Sequence, residues 1–479
     1  MSNEYVLKKS SSIPLYKQIY ENIKHKIMNG EWTVGTTLPT QRELARMFKV
    51  NRSTIVYALG ELTGDGLIEA TIGKGTVVVT NTCGLLSSTL QPNWNGYVKS
   101  GSYHPNLQII QEINKAEANK QIIRLSTGEI SPDLLPTKKT KELIQTSSRK
   151  LSLGYSEAKG NIHLREIISE HLKSKGIEAS PSSILIVSGG LQSLQLISLG
   201  LLKHGSTIFL EKPSYLNSVQ VFQSAGINLL GIPMDNEGIL IGTLERFMRQ
   251  HNGSLLYTTP SFHNPTGISM SSNRRMELLD SCRNLRLPII EDDVYGDLWF
   301  EGNCPKSLKS LDNQGLVLYI GSTSKTLGPG LRIGWIVGPE PVIDRLSDIK
   351  MKIDYGSSSL SQFVVTEWLS KGLYYDYMIK IRKELKLRRD FTIVILHKYF
   401  KRFASWTVPT GGFYIWLSIN KQISIEKLFV QALNEGILLN PGSIYDQYDH
   451  QHLRLSYSYV SFDQLERGLI RLSELIQEL

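Results

Sequence analysis

Five short apolar runs, each closing on polar residues, constrain the fold of this chain more than any other feature: SILIVSG, STIFLEKP, SLLYTTP, LPIIEDD and LVLYIGS. Helical runs separate them. That alternation is the mark of a mostly parallel sheet flanked by helices, whose ligands are expected at the carboxyl ends of the strands. The polar signals sit at those ends. SGGLQSLQL places Ser188, Gly189 and Gly190 ahead of a helix whose free N–H groups, with those of Leu191 and Gln192, suit a phosphate. EKPSY presents Tyr215, YTTPSFHNPTG presents Asn264, and IIEDDVY presents Asp292 and Tyr295. GSTSK presents Ser322, Ser324 and Lys325.

Lys325 admits three readings. A Gly- and Ser-rich run with one lysine is commonly a surface loop. A nucleotide phosphate loop requires glycine before the Lys-Ser/Thr pair, and Ser324 stands there, which excludes it. The third reading is an amine that forms an imine with a carbonyl cofactor in a partly desolvated pocket.

Composition bounds the partners. The net charge of +9 suits a nucleic-acid partner or a mildly basic enzyme equally. The three cysteines, Cys83, Cys282 and Cys304, are scattered as in a reducing cytoplasm, and the ten histidines show no ligand spacing, so no metal is expected. The start carries no apolar signal core and no run reaches the length of a membrane span, so a cytoplasmic protein without membrane contact is expected.

The amino-terminal part repeats a different pattern. PLYKQIYENIKHKIMN places Leu15, Ile19, Ile23 and Ile27 on one helical face, with Pro14 at its start and Gly30 after its end. Thr40 and Glu43 form a capping box for TQRELARMF, whose Leu44, Met47 and Phe48 are expected to face inward. After the break KVN a third helix starts near Arg52, and LIEATIGKGTVVV reads as a hairpin with its tip at Gly73-Lys74-Gly75. Three helices and a hairpin in this order make a winged helix-turn-helix.

IPLYKQIY, LPTQRELARMFKVNRSTIVYAL and GDGLIEATIGKG resemble the DNA-binding domain of the GntR family, which usually has serine at positions 40 and 51. The resemblance implies a domain over residues 11–80 that reads a double-stranded operator. Arg42, Arg52, Ser53 and Thr54 at two helix starts are placed for phosphates and base edges, and Lys74 for the adjoining backbone. Singly, each is an ordinary solvated side chain. Residues 81–92, rich in Ser, Gly and Asn, read as a linker.

Over residues 93–479, SFHNPTG, EDDVY, SxSKTLxPGLRIGW, PTGGFYIW and HLRLSYS, in that order, resemble the pyridoxal-phosphate enzymes of fold type I, the aspartate aminotransferase superfamily. Joined to a GntR-like head, the chain is similar to the MocR (GabR-like) class of regulators. The resemblance makes Lys325 the imine-forming lysine of pyridoxal 5'-phosphate and puts Asp292 at the ring nitrogen. Asn264 and Tyr295 would then serve the phenolic oxygen and Tyr215 the ring face. Gly190, Leu191, Gln192, Ser322, Ser324 and Arg332 fall at the phosphate. Arg454 would clamp the carboxylate of an amino-compound effector near Gly128, and Tyr155 would reach a partner subunit's phosphate, which implies a homodimer. The expected function is a DNA-binding regulator that senses an amino compound, or pyridoxal phosphate itself, with at most weak transamination. An aminotransferase with an appended regulatory head is the alternative.

Overall fold

The computed structural model describes residues 7, 11–71, 75–80, 94–101, 107–147, 154–216 and 220–479. The chain forms two compact units, Met1–His104 and Pro105–Leu479.

In the first unit, helix α1 (Leu15–Met28) buries Ile19, Ile23 and Ile27 completely, and Gly30 takes a positive φ of 75° to turn the chain away. Helix α2 (Gln41–Phe48) opens on the expected capping box, with the Thr40 hydroxyl accepting from Glu43 N and the Glu43 carboxylate accepting from Thr40 N. Helix α3 (Arg52–Gly64) packs Ile55, Ala58 and Leu62 against α1 and α2. Strands β1 (Ile68–Thr71) and β2 (Gly75–Val78) pair antiparallel as the wing. One expectation fails: Met47 is 60% exposed, because only Leu44 of this short helix points fully into the core and Phe48 is half-buried.

The second unit is built on an eight-stranded sheet. Its strands are β4 (Ile184–Val187), β5 (Thr207–Lys212), β6 (Asn228–Asp235), β7 (Gly238–Ile239), β8 (Leu255–Thr258), β9 (Ile289–Asp292), β10 (Val317–Ser322) and β11 (Gly334–Val337), while β3 (Ile123–Arg124) pairs in parallel with β14 (Ile437–Leu438) in a separate two-stranded sheet. The spatial order is β4-β11-β10-β9-β8-β5-β6-β7. Strands β6, β5, β8, β9 and β10 run parallel, whereas β11 is antiparallel to both β10 and β4. All residues of β4, β8, β9, β10 and β11 are buried, as strands covered on both faces require.

A smaller antiparallel sheet carries the carboxyl-terminal part of this unit. Its order is β12 (Ala404–Trp406), β13 (Tyr414–Ile419), β16 (His452–Ser456) and β15 (Asn440–Pro441), with Trp416 opposite Arg454 in register. Among the described residues no helix is long and apolar enough to cross a membrane, and no His/Cys/Asp/Glu group is placed to hold a metal ion.

Candidate cofactor and effector site

The loops leaving β8, β9 and β10, together with the second sheet, enclose a cavity of about 600 Å³. Lys325 lies three residues past the end of β10, and its Nζ donates to the Gly128 carbonyl oxygen at 2.8 Å and stands 5.9 Å from the centre of the Tyr295 ring. Asp292 ends β9. One carboxylate oxygen, Oδ2, accepts from the Tyr257 hydroxyl at 2.7 Å, while Oδ1 is buried with no hydrogen-bond partner. Burial pushes the Asp292 carboxyl up to about 6, against the opposing pull of the Tyr257 hydrogen bond, the nearby Val294 backbone N–H and the Lys325 charge. Burial likewise pushes the Tyr215 hydroxyl, on the cavity wall, above its ordinary range.

Arg454, on β16, is 7% exposed and lies over two aromatic rings, 4.3 Å from the Tyr414 centre and 5.0 Å from that of Tyr445. Its Nη1 donates to Asn264 Oδ1 and its Nη2 to the Ser126 carbonyl oxygen, both at 2.8 Å, while Nε has no partner. Tyr295 and Tyr414 share a hydroxyl-hydroxyl hydrogen bond of 3.1 Å. These positions come from separate strands and strand ends, so only the tertiary fold assembles them.

At the opposite end, Gly189 (φ 91°) turns the chain into the helix Gly190–Leu201. A Cβ there would lie 2.7 Å from Arg332 Nη2, which donates to the Ser188 carbonyl oxygen at 2.7 Å. The Ser322 hydroxyl donates to Ser324 Oγ at 3.0 Å and accepts from Ser324 N at 3.1 Å, folding the loop before Lys325. Gly190, Leu191, Ser322, Ser324 and Arg332 all line the cavity.

Two of the expected residues lie off the cavity wall. Gln192 is absent from the cavity wall: its N–H donates to the Gly189 carbonyl and its side chain bridges Ser188 N and the Asp354 carboxylate, so it holds the loop from behind. Tyr155 is 85% exposed, edge-on to Tyr355 at 5.0 Å, outside this subunit's cavity. The site also contains residues the sequence reading left out, chiefly Tyr257, Tyr414, Tyr445 and Asn440. Tyr414 stands inside PTGGFYIW, so the motif held the signal; Tyr257 and Tyr445 become visible only when the strand and loop facing are known.

In the first unit Arg42, Arg52 and Ser53 are exposed and Thr54 is half-buried at the starts of α2 and α3. Arg52 Nε donates to Gln41 Oε1 at 3.0 Å, which ties the two helix starts together. Lys74 lies outside the described residues.

Residues 120–472 match the family described as aminotransferase class I and II, and residues 15–78 match bacterial regulatory proteins of the gntR family. The chain is 52% identical over 473 residues to the HTH-type transcriptional regulator YdfD of Bacillus subtilis, covering 98% of each. It is a GntR-family transcriptional regulator of the MocR-like class. NorG of Staphylococcus aureus, another HTH-type regulator, is 35% identical over 91% of this chain and 98% of its own length. Among solved structures, this regulator resembles the Pyrococcus horikoshii kynurenine aminotransferase with a TM-score of 0.74 and 32% identity, over 78% of this chain and 95% of that one. It also resembles LysN, the alpha-aminoadipate aminotransferase of Thermus thermophilus seen with N-(5'-phosphopyridoxyl)-L-leucine, with a TM-score of 0.73 and 28% identity over 81% and 99% of the two chains. The larger unit therefore has the class I/II aminotransferase fold, that of pyridoxal-phosphate enzymes.

Proposed function

We propose that this regulator holds pyridoxal 5'-phosphate in the Pro105–Leu479 cavity and alters its hold on operator DNA when an amino compound reaches Lys325. The carrying observation is that Lys325 and Asp292 line the same cavity, the first a primary amine held on the Gly128 backbone carbonyl and the second presenting a buried acceptor, Oδ1, without a donor. An acceptor of that kind fits a protonated ring nitrogen. The helix start at Gly190 and Leu191, with Ser322, Ser324 and the Arg332 fork, fits a phosphate, while Gln192 braces that loop.

When bound, pyridoxal phosphate supplies an aldehyde that condenses reversibly with a primary amine. Lys325 would be the protein's own amine for that exchange, and Asp292 would keep the ring nitrogen protonated. Asn264 spends Oδ1 on Arg454, which leaves its amide N–H groups and the Tyr295 hydroxyl as donors for the ring's phenolic oxygen. Tyr215 would cover the ring face. Arg454, already desolvated, would take an effector carboxylate beside Gly128 with its unpartnered Nε. Tyr155, solvent-facing within one chain, would reach the partner's phosphate in a homodimer. Arg42, Arg52, Ser53, Thr54 and Lys74 would contact operator DNA, in the cytoplasm where that DNA lies.

Slow half-transamination is the second reading, favoured by the completeness of the polar set around Lys325 and by the aminotransferases among the resembling structures. Borohydride treatment of cofactor-saturated protein followed by peptide mapping tests the site. The proposal expects the label on Lys325, and label elsewhere would remove its basis.

A further inference from the structure

The charges lining the cavity are not balanced by the groups assigned so far. Three cations, Lys325, Arg332 and Arg454, face three acids, Asp292, Glu117 and Glu129. On the proposed function, which this inference builds on, Arg332 serves a phosphate, Asp292 a ring nitrogen and Arg454 an effector carboxylate. Glu117 and Glu129 are then left without a cation.

Neither acid is neutralised by its neighbours. Glu117 Oε1 accepts from the Thr127 hydroxyl at 2.9 Å, and no ion pair to Glu117 or Glu129 exists among the described residues. Arg124 is near in sequence but spends Nη1 on the Tyr459 hydroxyl and Nη2 on the Glu117 backbone carbonyl. Both acids are half-buried, on the wall that also carries Gly128 and Thr127. An independent feature of the same cavity points to a ligand: Arg454, more than nine-tenths buried, presents an Nε with no partner. The cavity thus offers one group for an anion and two for a cation.

We propose that the effector is a monocarboxylic amino compound bearing a second cationic group, with Arg454 receiving its carboxylate and Glu117 and Glu129 its distal cation. The amine that reaches Lys325 lies between them. A ligand with an acidic tail would face two like charges, and one with an apolar tail would leave two half-desolvated carboxylates unpaired.

The test uses the full-length chain saturated with pyridoxal phosphate and reads the cofactor's absorption during titration with lysine, ornithine, norleucine and 2-aminoadipate, each as both enantiomers. Lysine or ornithine should bind at least about tenfold more tightly than norleucine, with 2-aminoadipate weakest, since a hydrogen bond to a charged group contributes of that order. Glu117→Gln and Glu129→Gln should each pull the lysine-to-norleucine ratio toward one, and Glu117→Asp should retain the preference. Equal or tighter binding of norleucine or 2-aminoadipate overturns this inference and leaves the site reading standing. No spectral change with any of the four overturns the site reading, and this inference with it.

Discussion

Replacing Asp292 by asparagine is expected to stabilise the protein stripped of pyridoxal phosphate, and to do so mainly above about pH 6. Burial raises the Asp292 carboxyl from 3.8 to about 6, so its ionised form is penalised in the fold. The penalty is fully present above the folded value, shrinks as pH falls through 6, and is gone below the unfolded value of 3.8. A shift of about two units corresponds to about 3 kcal/mol at pH 8. Asparagine imitates the protonated acid and still accepts from Tyr257. With an unfolding entropy of roughly 2.1 cal/mol/K per residue, the larger unit should gain about 4 °C in Tm at pH 8. Thermal denaturation of wild type and Asp292→Asn between pH 4 and pH 8.5 measures it. Adding pyridoxal phosphate should reverse the ranking, because only the carboxylate pairs with a protonated ring nitrogen. An equal gain at pH 4 and pH 8, or none at either, would refute the argument that a desolvated charge is kept for a cofactor.

Four other substitutions read the cavity and the DNA-reading unit. Gly128→Ala would drive its Cβ onto the Tyr414 hydroxyl and to 3.2 Å from Tyr414 Cζ, so Tyr414, 1% exposed and hydrogen-bonded to Tyr295, would have to shift. It should cost about 1 to 3 kcal/mol in urea unfolding and weaken amine-induced spectral change. Arg454→Ala should retain the cofactor spectrum but lose about 2 to 5 kcal/mol of carboxylate-ligand binding, measured by titration with norleucine. Arg42→Ala and Arg52→Ala should each weaken operator binding by about 1 to 3 kcal/mol without changing the cofactor spectrum, as read by gel shift and absorption.

Much of this was legible in sequence because local rules and global fold agree. The Thr40–Glu43 capping box, the wing and the apolar strands ending in polar residues are set by short-range pattern, and each stands where the pattern places it. The cavity side of Lys325, Asp292, Asn264 and Arg454 followed from motif order. Side-chain facing did not follow. Met47 belongs to an apolar helical pattern, yet a helix of eight residues crosses its core once and leaves the flank to solvent. Gln192 sits at a helix start where a free amide is expected, but its amide and side chain are spent on Ser188, Gly189 and Asp354. Tyr257 lies in a fully buried strand with no alternation to show that it turns toward Asp292. Tyr445 and Asn440 meet Arg454 through the second sheet and the turn after it, contacts that no spacing within the chain encodes.

The central claim is that chemistry at Lys325 governs DNA reading, and operator affinity of the full-length, cofactor-saturated chain with and without a saturating amino compound measures it directly. A coupling of about 1 to 3 kcal/mol, roughly 5- to 150-fold in affinity, is expected in wild type and none in Lys325→Ala. An amino compound that changes the cofactor spectrum while leaving operator affinity unaltered, or a Lys325→Ala chain that responds as wild type does, would contradict it.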